Sequence, residues 1–578
     1  SVQVSVGGQN APLTAADPNV PYFTGTAEAA DGAKYKYIAD TFTEPFDRTL
    51  AAGSTKTLNE YLNRTVTYAD IPELPWPIAE EPQWTRSVPK AKYSLFDTNY
   101  IPTVFVNGDK AALDALIAKP IKDKYQVTLT VILADEVKTF KDTTFGIHGA
   151  GKKKNNAKQS WNWAFSSGQT LEARDFFKLR HMEEDPTQIR EKLWADVSRA
   201  MGTYANEANM IRMFINGDGM GTFNLLDDIK EYSYISAFFY AGKPPAQMGA
   251  LFDGGTGADF AYDPTPEGLH YYNWVPNSNS PEQPPALAPV CKLWSEADKT
   301  NDAAIAEVDK QLTLDMFIRF MVLEYLTGSW DGYWGPYQTN NGLYRDPTQN
   351  NRWFYLAQDF DGTFGINVPN ITIAEWSYKR YITEYPGAIL INGLLQNPNY
   401  QKKFETYLTK TVEVLFNNVT LSNRIKKYHE FLYPDLVWDR SIVQRSPGIN
   451  FEWSLEDVTT NLNQGIMGKG ATGGGAAFGL YEWISKKQDA VVKEFGIQVT
   501  ATPVGPPKSG LLPPGSVNND NGTKGGNNAG GNNNNEKNET TNVPNPKDNG
   551  KSAAGHALPQ VVATAALIGA SVLALVAF

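Results

Sequence analysis

A single cysteine, Cys291, stands in a chain of 578 residues. No disulfide can form within the chain, and no His or Asp pattern around that thiol marks it as a nucleophile. It reads as a structural residue in a Pro-rich neighbourhood. One cysteine and five histidines are also a poor supply of ligands for a zinc centre. Basic charge is in deficit: 52 Lys and Arg stand against 63 Asp and Glu, a net charge of −11, and the isoelectric point is near 5.2. The electrostatic footprint of a nucleic-acid binder is missing, so nucleic acid is not expected as a partner. The charge itself says only that the protein is soluble and self-repelling.

What is present allows two or three domains with sizeable cores. In 1–76, Val2, Val4 and Val6 alternate with polar residues, KYKYIA alternates again, and Gly, Pro and Asn turns recur. This predicts a small β-sandwich. Prolines at 72, 75, 77 and 82 make 77–89 a stiff linker. A larger α+β region follows over 90–500. Strands are expected at 101–106, 127–133 and 137–145, and a helix at 185–200 with Asp185 as N-cap and Pro186 at its first position. The stretch 243–289, rich in Pro, Gly and Asn, reads as an irregular insertion. Helices are expected again at 400–416, 421–432 and 476–495.

The end of the chain differs in kind. Pro-rich, then Asn- and Gly-rich sequence over 501–557 is too poor in apolar residues to order itself, and is expected to be a disordered stalk. The last stretch, 558–578, is apolar and uncharged, and Ser552-Ala553-Ala554-Gly555 precedes it. Small site, short spacer and apolar tail predict a GPI-attachment signal with Ser552 as the attachment site; a tail-anchored helix is the rival reading. Ser1 in place of Met predicts a signal peptide already removed. N-x-Ser/Thr acceptors at Asn63, Asn370, Asn418, Asn521 and Asn538 are compatible with secretion.

The chemistry-bearing residues concentrate in 323–365. An apolar block, LTLDMFIRFMVLEYL, reads as a buried helix. Gly328 breaks it and Asp331 stands in the loop beyond. Asn340 and Asn341 follow. Then two aromatic-rich runs flank an Asp-Pro and Asn cluster, the pattern of a β-hairpin, and the second run leads directly into Asp359-Phe360-Asp361-Gly362. Protein kinases order their phosphoryl-transfer parts in this way: a loop Asp that accepts the hydroxyl proton, an Asn and, after a hairpin, an Asp for metal ions on the nucleotide phosphates. Nine positions separate Asp331 from Asn340 here, and no His-Arg precedes the Asp. The plainer alternative is that these acids cap turns.

Upstream, Gly146 and Gly151-Lys152 approach a P-loop, but Lys153 replaces the Ser or Thr, and Trp161, Trp163 and Phe165 alternate as in a strand; a P-loop opens a helix, so that reading is rejected. The run Asn216-Gly217-Asp218-Gly219-Met220-Gly221 could cradle a nucleotide or turn a hairpin, and Asn-Gly favours the hairpin. Glu191 could fix a phosphate-binding lysine or face solvent.

SWDGYW and NNGLYRDPTQNNRWFYLAQDFDGTFG resemble the spore-coat-protein-H (CotH) kinase family, and more closely its cell-surface invasin members in Mucorales fungi. The resemblance covers roughly 93–496. It implies an atypical, two-lobed, secretory protein-kinase fold that binds ATP and Mg2+ or Mn2+. It implies Asp331 as the catalytic Asp, Asn340 and Asp359 as metal-side residues with Asp361 nearby, and Lys158 as the strand lysine on the α- and β-phosphates. Asp227 matches a family acid that would orient Lys158 or a metal. Family members carry Arg-Gly-x-Ser where this chain has His148-Gly149-Ala150-Gly151. Two functions are therefore expected: a GPI-anchored surface kinase acting on Ser or Thr of surface proteins, or an adhesin that binds a host-cell receptor on a kinase-like scaffold.

Overall fold

Alternation of valine with polar residues opens the chain, and strands form where it does. The computed structural model describes residues 1–78, 90–149, 156–203, 206–265, 271–277, 280, 287–467 and 475–500, then 514, 523–524 and 560–566. They fall into two units, one of 1–67 with 134–139 and 523–578, the other of 68–133 with 140–522. The first is all strand up to residue 67: β1 (Val2–Val6), β2 (Gln9–Asp17), β3 (Val20–Glu28), β4 (Lys34–Ala39), β5 (Phe42–Thr43), β6 (Arg48–Thr49) and β7 (Lys56–Tyr61). β1 lies antiparallel between β2 and β4. Val4, Val6, Leu13, Tyr35, Tyr37 and Leu50 form its core. Glu60, buried in this unit, accepts from the hydroxyls of Tyr35 and Tyr37.

The stalk and anchor expectations fall on 501–578, where only those few residues are described; Ser552, Asn521 and Asn538 lie outside them. Gln560–Ala566 is a strand, antiparallel to β3 and parallel to β7. Of the described glycosylation candidates, Asn63, Asn370 and Asn418 are all exposed. Among the described residues no helix is long and apolar enough to cross a membrane.

The second unit begins with a closed sheet of seven strands: β8 (Thr103–Asn107), β9 (Lys124–Ile132), β10 (Val137–Ile147), β11 (Trp161–Ala164), β12 (Phe176–Arg180), β13 (Ala208–Ile215) and β14 (Asp218–Leu226). The order runs β11-β12-β14-β13-β8-β9-β10, and β10 pairs back onto β11. β8 runs parallel to β13. Inward residues such as Val106, Leu129, Phe145, Trp163, Phe177 and Phe223 fill the interior. The loop between β13 and β14 is a two-residue turn: Asn216 and Gly217 both have positive φ, 48° and 85°, as a hairpin of this length needs. The nucleotide-cradle alternative for 216–221 therefore gives way to the hairpin.

Two helices accompany this sheet, α1 (Lys110–Ala118) and α2 (Arg190–Ala200). The start expected at Asp185 is corrected: α2 begins five residues later. Gln188 at φ 58° breaks the helical path. Asp185 still caps the turn, accepting from the backbone N–H of Ile189 and Arg190. After β14 come α3 (Tyr232–Tyr240), β15 (Leu251–Gly254), β16 (Tyr272–Val275), α4 (Ala288–Glu296), α5 (Asp302–Gln311) and α6 (Leu314–Thr327). The insertion thus supplies two strands to a small sheet, β16-β15-β17-β18, completed by β17 (Asn341–Asp346) and β18 (Arg352–Ala357). Cys291 is buried in α4, and burial pushes its thiol up to about 12, which suits a structural role. The remaining long helices are Pro398–Val414, Thr420–Ser441 and Leu480–Phe495.

Candidate active site

Strand alternation builds one wall of a cleft. In β12, Phe177 and Leu179 turn into the sheet interior and are fully buried. Phe176, Lys178 and Arg180 therefore share the other face, and all three line an open cleft of about 1230 Å³. Pockets for small molecules run to roughly 300–1,000 Å³, so a nucleoside triphosphate fits. Asp228, Lys230 and Glu231, at the crossing from β14 to α3, line the same cleft. Burial and the adjacent Asp228 push the Glu231 carboxyl up to about 7.

The opposite wall comes from the end of α6. That helix is buried on almost every side and stops at Gly328, which takes the left-handed conformation at φ 61°. Trp330 anchors the next turn by donating from Nε1 to the Ile366 carbonyl at 2.8 Å. Asp331 follows. Asn340, itself at φ 52°, closes the loop: its Nδ2 donates to the Asp331 carbonyl at 2.7 Å and to Oδ2 of the Asp331 carboxylate at 3.0 Å. The Gln358 N–H donates to the Asn340 carbonyl at 3.0 Å, which ties the end of the β17–β18 hairpin to the loop. Asp359 leaves that hairpin at φ 62°. Asp331, Asn340, Asp359, Asp361 and Gly362 all line the cleft. Arg180 reaches across to the acids, with Nη1 3.2 Å from Asp359 Oδ1 and Nη2 on Asp361 Oδ2.

Between the two acids, Phe360 turns inward and stacks on Trp194 of α2, with the rings 8° from parallel. Trp194 in turn stacks with Phe320 of α6. The same helix carries Glu191, which is 4% exposed; the solvent-facing reading of that residue is overturned. Burial pushes its carboxyl up, while Arg180 and then Lys178 pull it down. Glu191 Oε2 accepts from Asn224 Nδ2 at 3.2 Å, and α2 thus carries both this buried glutamate and the ring on which Phe360 stacks.

Two of the expected residues lie elsewhere. Lys158 is 2% exposed and pairs with Asp439 at 2.6 Å and Glu183 at 3.7 Å; it is not among the residues lining the cleft. Burial works against ionisation of Asp439, yet Lys158 and Arg440 hold its carboxyl down at about 2. Gly221 exists for this pair, because a Cβ there would strike Asp439 Oδ1. Asp227, 1% exposed, is turned onto Arg174 at 2.6 Å, and it is the neighbouring Asp228 that faces the cleft. His148 also lines the cleft, and burial, with Lys178 next, pushes it down to about 3, so it is neutral near pH 7. Residues 150–155, including Ala150 and Gly151, lie outside the described residues. Sequence reasoning missed Lys178 and Arg180. The signal was the alternation in FFKLR, which puts both cations on the face opposite Phe177 and Leu179.

Among the described residues no cluster of three or more His, Cys, Asp or Glu is spaced to hold a metal ion. Magnesium on a nucleotide needs fewer: one or two carboxylates complete a shell of phosphate oxygens and water. Asp359 and Asp361 are such carboxylates, both part-exposed on the cleft, and fit that donor chemistry.

A profile of the family described as CotH kinase protein matches residues 145–464, the span holding all of these residues. The chain belongs to this family. It is 55% identical over 514 residues to Invasin CotH3 of Rhizopus delemar, covering 88% of this chain and 85% of that protein. Invasin CotH2 of the same fungus is 54% identical over 512 residues, 88% of this chain and 84% of the relative. Inner spore coat protein H of Bacillus subtilis is 21% identical over 293 residues, 49% of this chain and 74% of that protein. The CotH match thus spans both walls of the cleft.

Proposed function

We propose that this CotH-family chain is a secreted, cell-surface atypical protein kinase that transfers the γ-phosphoryl group of ATP to Ser or Thr hydroxyls of surface proteins. The observation that carries the reading is the meeting of Asp331, Asn340 and Asp359 on one wall of the cleft, with Lys178 on the other and Glu191 behind it. Lys178, rather than Lys158, neutralises the α- and β-phosphates, and buried Glu191 acts on it through its charge. Asp359 and Asp361, with Asn340 nearby, would hold Mg2+ or Mn2+. When bound, the metal neutralises charge on the β- and γ-phosphate oxygens. Asp331 accepts the proton of the attacking hydroxyl as the new O–P bond forms, and the bond to the β-phosphate oxygen breaks to release ADP. Asn340, donating to the Asp331 carboxylate, fixes its orientation. Radiolabelled-ATP transfer with and without divalent metal tests this: no metal-dependent incorporation by the wild-type chain, into itself or into surface extracts, would sink the enzyme reading.

A second reading is favoured by the names of the Rhizopus relatives, which are invasins. In it the chain is a surface adhesin that presents this scaffold to a host-cell receptor. The grouping of Asp331, Asn340 and Asp359 on the cleft favours the kinase; the high identity to invasins favours the adhesin, and one molecule can serve both.

A further inference from the structure

The two acids of the cleft already hold a cation. Arg180 reaches both from β12, to Asp359 at 3.2 Å and to Asp361. A divalent ion on these carboxylates would take the same oxygens, at roughly 2.0–2.1 Å for magnesium, and would repel the guanidinium. We propose that Arg180 is a displaceable counter-ion: it holds the Asp359–Asp361 pair until a divalent cation arrives with a nucleotide phosphate, and the released guanidinium then binds that phosphate. The inference rests on the metal–nucleotide reading above.

Two observations and the shape of the guanidinium support exchange at this place. The pair is part-exposed, with Arg180 at 17% and the acids at 22% and 25%, whereas the structural pair Arg174–Asp227 is 2% and 1% exposed. Water can therefore assist the swap. Arg180 shares a strand face with Lys178, so a freed guanidinium stays beside the lysine proposed to meet the phosphates. Its planar fork suits a phosphate as well as a carboxylate. Metal alone must evict the arginine with nothing to receive it, and should bind weakly. Metal with nucleotide provides that receiver, so each ligand raises the affinity of the other by the same factor.

The full chain should be titrated calorimetrically with MnCl2 alone, then with ATP in the presence of Mn2+, as wild type, Arg180→Gln and Arg180→Lys. Arg180→Gln should bind Mn2+ alone about tenfold more tightly than wild type and bind ATP with Mn2+ about tenfold more weakly, a coupling of ordinary size. A merely structural arginine would lower both affinities. Mn2+ affinity unchanged, reduced or undetectable in a folded Arg180→Gln overturns the proposal. Should that variant fail to fold, Arg180→Lys, which keeps the charge and loses the fork, carries the test: Mn2+ affinity above wild type supports exchange, and affinity at or below it does not. If neither wild type nor variant binds ATP, the nucleotide reading fails, and the Mn2+ arm still decides whether arginine and metal compete.

Discussion

Lys158 and Lys178 are both buried lysines, 2% and 4% exposed, and the two should fail differently. Lys158→Ala leaves Asp439 buried with Arg440 at 3.1 Å, the Gln188 amide and the Thr222 N–H. Losing one partner of a buried pair costs roughly 3–5 kcal/mol, and these remaining donors place the loss near the lower end, read by chemical denaturation. Lys178→Ala should keep more of its stability but weaken ATP binding in calorimetry; equal ATP affinity in both variants would return the phosphate role to Lys158. Glu324 offers a pH test. Burial pushes its carboxyl up to about 7, opposed by the Trp334 N–H and the Tyr355 hydroxyl that donate to it. A raised carboxyl binds its proton more tightly folded than unfolded. Its contribution is therefore fully present below the unfolded value and lost as pH rises towards 7. At about 1.4 kcal/mol per pKa unit the loss is on the order of 3 kcal/mol. The stability advantage of wild type over Glu324→Gln should shrink between pH 5 and pH 7 in thermal melts, and a constant difference would refute the assignment.

At the scale of elements, α2 joins the walls of the cleft. Trp194 stacks on Phe360 from one side and Phe320 from the other, so its ring sets where the Asp359–Asp361 segment rests against the helix. Trp194→Ala should cost roughly 3–5 kcal/mol, and ATP affinity should fall with it because Glu191 moves too. Unchanged ATP affinity in a folded Trp194→Ala chain would show that the helix and the acids are not coupled. This helix also marks where the sequence was hard to read. Leu193, Val197 and Ala200 recur at helical spacing and are buried, but Arg190, Glu191, Lys192 and Asp196 are buried as well. Lys192 and Asp196 pair within the helix and Arg190 meets Asp185 just before it, but the contacts that bury them reach far along the chain: Arg190 bonds Asn461 and Phe478, and Asp196 pairs with Arg424. No local pattern announces these long-range partners. By contrast α6, the β17–β18 hairpin and the Asn216-Gly217 turn were legible, because periodicity and turn chemistry act within a few residues. So was the grouping of Asp331, Asn340 and Asp359, which a short loop and one hairpin hold together. The place of Lys158 was not legible, since its partner Asp439 lies 281 positions away, while Lys178 lines the cleft.

At the scale of the molecule, the kinase and adhesin readings make opposite demands on Asp331. Phosphoryl transfer needs its carboxylate as a proton acceptor, and removing a positioned general base costs on the order of a hundredfold or more. A scaffold needs only its shape. Asp331→Asn preserves that shape: the Asp331 backbone carbonyl still accepts from Asn340, and the new amide oxygen can replace the carboxylate oxygen as acceptor. Surface contact, in the adhesin reading, falls to exposed residues such as Tyr337 in the Asp331–Asn340 loop and Tyr271 in the insertion, 50% and 62% exposed. The full-length Asp331→Asn chain should therefore bind host cells as wild type does, while radiolabelled phosphate transfer falls at least a hundredfold and ATP affinity stays within a few-fold. Loss of cell binding by this substitution alone, with an unchanged thermal melt, would mean that adhesion depends on the chemistry of the cleft and not on the scaffold that carries it.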